Sequence, residues 1–348
     1  MIQVKKHGII IDKTTLPFEN EGVLNPAAIR EGAFVHLFYR AVAYGNYSSI
    51  GYCKLLGPLE VEQRMNTALI SPEFEYEKHG IEDPRIVEID DLFYLTYTAY
   101  DGINALGALA TSTDLIHFDK KGIIVPQMTY EEFNSLAETD IVLDEKYYRF
   151  NQHNHIIEKE GLKMLLWDKN VIFFPRRING KLWFFHRVRP EIQIVVQIES
   201  LEELTKDFWK NYFLHFNDFV VLSPKYEHEK SYIGGGCPPI ETDLGWLIIY
   251  HGVHETTKGY VYSACAALLD LDNPQIELAR LPYALFKPEE PWELKGEVNN
   301  VCFPTGAAIF DDTLYIYYGA ADERVACASV SVSELLKELM SNKKSNDK

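Results

Sequence analysis

The chain has 348 residues, 47% apolar and 24% charged, the balance of a soluble globular protein long enough to bury a core without disulfide or metal staples. Its 51 acidic residues against 34 basic ones give a formal charge of −17, a field that repels nucleic acids and anionic membranes. Cys53, Cys237, Cys265, Cys302 and Cys327 are odd in number and form no C-x-x-C pair, so neither a disulfide framework nor a zinc site is indicated. No apolar run has the length of a membrane span or of a signal-peptide core, and the expectation is a cytoplasmic protein without nucleic-acid or membrane partners, compatible with a homo-oligomer.

From the N-terminus, VKKHGIIID reads as a strand that completes the last unit of a ring. One pattern then recurs five times: a proline, a short segment, a turn, and a run of β-formers ending in Tyr or His. The copies are NPAAIREGAFVHLFYR from Asn25, DPRIVEIDDLFYLTYTAYD from Asp83, FPRRINGKLWFFHR from Phe174, PPIETDLGWLIIYHG from Pro238 and FPTGAAIFDDTLYIYYGAAD from Phe303. Their prolines, Pro26, Pro84, Pro175, Pro239 and Pro304, are 58, 91, 64 and 65 residues apart. Asn179-Gly180, Asp90-Asp91 and Asp311-Asp312 mark hairpin turns, because these residues tolerate positive φ. Each copy is followed by another strand candidate, such as SSIGYCKLL or VACASVSV.

Five such units predict an all-β fold, a five-bladed β-propeller forming one catalytic domain over residues 1–340. The long second gap predicts an insertion between blades 2 and 3, near Met128 to Lys169. It holds His153 and His155, which suit contact with a leaving-group sugar better than metal ligation; no metal is expected. Ser331 to Met340 reads as a short C-terminal helix and residues 341–348 as a disordered tail.

A propeller gathers polar residues from several blades at its central channel. Asn25, Arg40, Asp83, Arg85, Asp101, Lys169, Arg187, His251 and Asp322 stand at such points, several beside strongly apolar strands where an unpaired charge is costly. Carboxylates with Arg, Asn, His and aromatic rings suit a sugar pocket and an oligosaccharide substrate.

On the motifs LNPAAI…FYR, GIEDPRI…YTAYDG, FP…INGK…HR, IGGGCPPI…GWL-IYHG, AALLDLDNP and VCFPTGA…LYIYYGAAD, spread from about Asn25 to Leu336, the sequence resembles glycoside hydrolase family 130, which holds mannoside phosphorylases and β-mannosidases. The resemblance implies a five-bladed propeller. It also implies that Asp101 of YTAYD is the general acid, protonating the glycosidic oxygen through a sugar hydroxyl. Asn25, Arg40, Tyr100 and Asp322 would hold the cleaved mannosyl unit, with Asp83 and Arg85 bracing its floor. The phosphate site of the family's phosphorylases would fall on Lys169, Arg187, His251 and Tyr260, and Tyr232 stands where they carry a lysine.

With one cation lost and arginine's bidentate fork replaced at Lys169, phosphate binding is expected to weaken. Glu227 and Glu229 of YEHEKSY lie just upstream, and either would supply the base that an inverting hydrolase needs. The expectation is therefore an inverting glycoside hydrolase of β-linked mannosides, β-1,2-mannooligosaccharides among them, without cofactor. The alternatives are a β-mannoside phosphorylase with inorganic phosphate as co-substrate, releasing mannose 1-phosphate, and a non-catalytic sugar-binding propeller.

Overall fold

The computed structural model of the chain describes residues 2–137 and 164–343. It is mostly β, with few helices, and none of these is long and apolar enough to cross a membrane. His153 and His155, most of the insertion and most of the expected tail lie outside the described residues.

The strands fall into five antiparallel meanders. The first is β2 (Gly22–Glu31), β3 (Phe34–Ala43), β4 (Tyr47–Leu56) and β5 (Glu60–Arg64), and the second is β6 (Gly80–Ile89), β7 (Leu92–Tyr100), β8 (Ala105–Ser112) and β9 (Asp119–Ile123). The third is β10 (Lys169–Phe173), β11 (Leu182–Arg187), β12 (Ile192–Ile198) and β13 (Val220–Leu222). In the fourth, β14 (Tyr232–Gly235) and β15 (Ile240–Thr242) both pair with β16 (Gly245–Thr256), followed by β17 (Gly259–Leu269) and β18 (Glu277–Arg280). The fifth joins β19 (Cys302–Phe310), β20 (Thr313–Ala320) and β21 (Arg324–Ser331) to β1 (Lys5–Ile11) from the other end of the chain.

Both faces of the second strands are buried, which is why they read as unbroken apolar runs rather than alternating ones. Val35, Leu37, Tyr39 and Ala41 of β3 pack with Ala308, Tyr317 and Val325 of the fifth meander, whereas Phe38 packs with Ile81, Ile86 and Leu95 of the second. Phe184 faces the second meander, and Trp183 and Phe185 face the fourth. Leu247 and Ile249 meet Leu314, Ile316 and Tyr318. Each meander thus shares an apolar cluster with the next, and the fifth shares one with the first. Each buried large apolar side chain contributes roughly 1.5–3 kcal/mol.

A buried carboxylate recurs at the meander edges. Tyr39, Tyr97, Tyr250 and Tyr318 occupy the same position of their second strands, and their hydroxyls donate to Glu19, Glu77, Glu229 and Glu293. Each glutamate is fully buried and also meets a cation: Arg64, Lys120, Arg280 and Lys6, respectively. Three of them close a short turn, with two backbone N–H groups donating to one carboxylate oxygen.

The proline holds the same position only in the first two meanders; by register its place falls to Val171 in the third, Gly236 in the fourth and Thr305 in the fifth. The inner strands bulge between Leu24 and Ala27, Glu82 and Arg85, and Lys169 and Ile172. Asn25, Asp83 and Asn170 sit in these bulges at φ +48°, +49° and +57°. Pro26 and Pro84 follow directly, but the equivalent residue of β10 is Val171, four residues before Pro175. The C-terminal helix spans Val332–Ser341, capped by the Ser331 side chain accepting from the Glu334 N–H. The five cysteines are buried and free.

Candidate active site

The residue after each of the four repeated tyrosines, and after His186 at the same place in the third meander, turns to the inner strand of its own meander. Arg40 pairs in register with Leu24, Thr98 with Glu82, Arg187 with Lys169, His251 with Gly234, and Gly319 with Phe303. This position supplies Arg40 and Arg187, the bulges supply Asn25, Asp83 and Asn170, and Tyr232, Tyr262, Phe303 and Asp322 come from the fourth and fifth meanders and their ends. A cavity of about 160 Å³ results, lined by Asn25, Arg40, Glu82, Asp83, Lys169, Asn170, Arg187, Arg189, Tyr232, Tyr262, Val301, Phe303 and Asp322. Asn25, Asp83, Asn170 and Asp322 all hold positive φ there, a conformation that Asn and Asp tolerate better than most residues. Two glycines are required by close approach: a Cβ on Gly234 would lie 2.5 Å from the His251 ring, and one on Gly319 would lie 2.0 Å from Asn25 Oδ1.

The site has two chemically distinct parts. In one, Arg40 bonds Ser48 Oγ and Glu82 Oε1 at 2.8 Å, and Asn25 Nδ2 donates to Asp83 Oδ1 at 2.7 Å. Burial opposes ionisation of Asp83, but Arg40, Lys169 and Arg85 outweigh it and hold its carboxyl below the usual range. Asp322 goes the other way: burial, aided by the Asp83 charge, raises it to about 6. Arg85 runs beneath, donating to the carbonyls of Asp83, Pro84, Gly235 and Gly236, and so ties the second meander to the fourth.

The other part is cationic. Lys169, Arg187 and Arg189 crowd one another. Burial and then Arg187 lower Lys169 to about 8, and burial and then Arg189 lower Arg187 to about 10. His251 is held well below its ordinary value by burial and the same cations. Arg187 Nη1 stands 3.4 Å from His251 Nε2. Arg189 lies over the Tyr232 ring, 4.4 Å from its centroid, and the Tyr232 and Tyr262 hydroxyls share a short hydrogen bond. Among the described residues, Arg187 Nε, His251 Nδ1 and Asn25 Oδ1 are buried without a hydrogen-bond partner.

A family model described as beta-1,4-mannooligosaccharide phosphorylase, glycoside hydrolase family 130, matches residues 7–341. The chain belongs to glycoside hydrolase family 130. It is 31% identical over 349 residues to a 1,2-beta-oligomannan phosphorylase of Thermoanaerobacter sp. (strain X514), covering 96% of this chain and 99% of that protein. The beta-1,2-mannobiose phosphorylase from Listeria innocua, solved with beta-1,2-mannobiose, superposes with a TM-score of 0.73 at 21% identity, over 98% of this chain and 100% of that one. A family-130 structure from work on glycoside hydrolases that target beta-1,2 mannosidic linkages in Candida mannan gives 0.70 at 22%, over 95% and 94%. The family-130 chain described here is therefore an enzyme acting on glycosides.

The geometry corrects three expectations for this family-130 site. Glu229 does not activate water: it is the fully buried carboxylate of the fourth meander, held by Tyr250, Arg280 and the N–H groups of Lys225 and Tyr226. Glu227 has 76% of its side chain exposed and pairs with Lys230. Neither lines the cavity. The tyrosine of the cationic part is Tyr262; Tyr260, two residues back along β17, is 44% exposed. Finally, the cationic part does not lack a third charge, because Arg189 supplies it. The R-V-R alternation of HRVRP, which puts Arg187 and Arg189 on one side of an extended chain, is the signal that could have found it.

Asp101 stands at the end of β7. Its Oδ1 accepts from the N–H groups of Ile103 and Asn104, and its Oδ2 from Asn104 Nδ2 at 3.0 Å. It is half-buried and lies outside the cavity lining, next to Tyr100, whose phenol feels the charges of Glu82, Asp101 and Arg40. The Tyr100 hydroxyl donates to the Gly102 carbonyl.

Proposed function

We propose that the chain is a β-mannoside phosphorylase built on five propeller blades, one per meander. The observation that carries this reading is the convergence of Lys169, Arg187 and Arg189 on a single cavity with the Tyr232–Tyr262 hydroxyl pair, neutral His251 standing buried beside Arg187. Three like charges crowded into one cavity, Arg187 buried and Lys169 and Arg189 half-buried, are costly without a counter-anion, and a phosphate dianion supplies it. The full-length similarity to a 1,2-beta-oligomannan phosphorylase supports the same choice and makes β-1,2-linked mannooligosaccharides the proposed substrates.

The mannosyl unit occupies the part formed by Asn25, Arg40, Asp83 and Asp322. A phosphate oxygen attacks its anomeric carbon, the C–O bond to the next sugar breaks, and that oxygen takes a proton originating from Asp101. A substrate hydroxyl relays the proton, which suits the place of Asp101 outside the cavity lining. The products are mannose 1-phosphate of inverted configuration and a saccharide one unit shorter. Phosphate replaces the activated water, so no general base is needed. The test is product analysis of β-1,2-mannobiose with and without inorganic phosphate. Mannose 1-phosphate formed only with phosphate is expected; free mannose released equally fast without phosphate overturns the reading.

A further inference from the structure

The third meander departs from the carboxylate pattern of the other four, and it does so directly behind the cationic part of the site. Where the others carry tyrosine, it carries His186. The ring Nδ1 lies 2.7 Å from Asp168 Oδ2, and Nε2 lies 2.7 Å from the Tyr212 hydroxyl of helix Lys206–Leu214. Asp168 and His186 are fully buried. Among the described residues, no lysine or arginine pairs with Asp168, unlike the four glutamates, and its Oδ1 has no hydrogen-bond partner.

Each member of this pair immediately precedes a cavity cation. Asp168 precedes Lys169, His186 precedes Arg187, and Lys169 and Arg187 are register partners across β10 and β11. Successive side chains of a strand point to opposite sides, so the Asp168–His186 contact lies on the reverse of the ladder step that presents the two cations. Asp168 is also tied to the second meander, its carbonyl accepting from the Gly107 N–H at 2.8 Å. The imidazole bridges two partners with its two nitrogens and so fixes β11 against both β10 and the helix behind it. The mutual repulsion of Lys169 and Arg187 acts to spread these strand ends, and the bridge opposes it.

We propose that Asp168 and His186 are positioning residues for the anion site, setting the separation of Lys169 and Arg187 and with it the affinity for phosphate. The inference rests on the phosphorylase reading. It explains why the tyrosine–glutamate arrangement is replaced in the one meander that contributes two facing cations: an imidazole reaches neighbours on opposite sides with two separate nitrogens, where a phenol presents a single oxygen.

The experiment compares wild type with Asp168→Asn, His186→Phe and His186→Gln. Phosphate and mannoside are varied separately in the phosphorolysis assay, and inorganic phosphate is titrated calorimetrically into wild type and Asp168→Asn. Expected for Asp168→Asn and His186→Phe is a rise of tenfold or more in KM for phosphate, with KM for the mannoside and kcat at saturating phosphate within threefold of wild type. His186→Gln, whose amide still donates to Asp168 and reaches toward the Tyr212 hydroxyl, should return to within threefold in all constants. Should His186→Phe fail to fold, the near-isosteric Asp168→Asn and the calorimetry still decide. An unchanged phosphate KM and Kd in folded variants, or a loss of kcat alone, overturns the inference and leaves the phosphorylase reading standing. A wild type that neither binds nor uses phosphate overturns both.

Discussion

Arg187 Nη1 faces His251 Nε2 at 3.4 Å, a contact that only an unprotonated imidazole tolerates beside a guanidinium. The histidine therefore acts as a neutral neighbour, and under the proposed phosphorolysis the charge offered to phosphate at this point is Arg187's. Arg187→Gln should raise KM for phosphate by roughly 10- to 100-fold, the loss of a charged hydrogen bond worth about 1.5–3 kcal/mol. KM for the mannoside should change much less. Separate substrate titrations check this.

Lys169 gives the anion site a pH limit. With its pKa near 8, lowered by burial and Arg187, the ammonium is lost as pH rises through that value, and KM for phosphate should climb above pH 8. The effect on stability has the opposite sense. The folded state binds fewer protons than the unfolded chain between about 8 and 10.4, so this residue's contribution to stability rises with pH across that window. Lys169→Arg should remove the inflection in the phosphate KM profile.

Glu229 and Glu227 separate architecture from chemistry. Glu229→Gln breaks a buried network with Tyr250 and Arg280 and should cost on the order of 3–5 kcal/mol of stability, seen as a lowered Tm. Glu227→Ala should shift neither Tm nor kcat beyond error, because its pair with Lys230 is solvent-exposed. A Glu229→Gln enzyme with wild-type Tm and no turnover would restore the water-activating role.

Asp322 carries a cost that the fold tolerates for the sake of the site. Its carboxyl is raised to about 6, so the folded state binds more protons than the unfolded chain between about 4 and 6, and stability falls as pH rises across that interval. Asp322→Asn never ionises. At pH 7 it should be more stable than wild type by on the order of 2 kcal/mol while losing turnover and mannoside affinity. Thermal melts at pH 4 and pH 7 check the sign, since the gain should vanish at the lower pH.

Asp101→Asn should lower kcat by roughly 10²- to 10⁴-fold, the usual worth of a positioned acid, with substrate binding retained. The Asn side chain keeps acceptors for the Ile103 and Asn104 N–H groups, so the turn should survive. Calorimetric binding of β-1,2-mannobiose to the variant separates acid loss from collapse of the site.

Much of the architecture is legible in the sequence because burial on both faces leaves uninterrupted runs such as LWFFH and WLIIY, and because Asp90-Asp91 and Asn179-Gly180 advertise positive φ. Pro175 misleads: in the third inner strand the bulge residue Asn170 is followed by Val171, so the nearest proline belongs to the hairpin instead. The helix Lys206–Leu214 carries its apolar residues on one face against the second and third meanders, a pattern overshadowed by the neighbouring strands. At the site, Arg40, Arg187 and His251 are recoverable because they close the β-former runs of three repeats at one equivalent point, and Asp322 because it closes YGAAD as Asp101 closes YTAYD; Lys169 is Arg187's register partner. Tyr262 and Tyr260 share a strand face by alternation, and only the register of β17 on β16, which puts Tyr262 opposite Val253 and Tyr260 opposite Glu255, shows which lies deeper. Glu229 is legible in principle: Glu19, Glu77, Glu229 and Glu293 each follow an aromatic residue, Phe18, Tyr76, His228 or Trp292. One copy viewed beside a candidate phosphate site invites a chemical role that four copies together do not.

The pairing of Lys5–Ile11 with Arg324–Ser331 has a consequence for how the protein comes into being. On a ribosome the Lys5–Ile11 segment finds no partner until Arg324–Ser331 has been synthesised more than 300 residues later, so this sheet is assembled after the four others. Until then the outer edge of the growing assembly stays open to other chains. Expression conditions that slow elongation would lengthen that exposure, and the yield of folded enzyme should follow the time this one late junction takes to close.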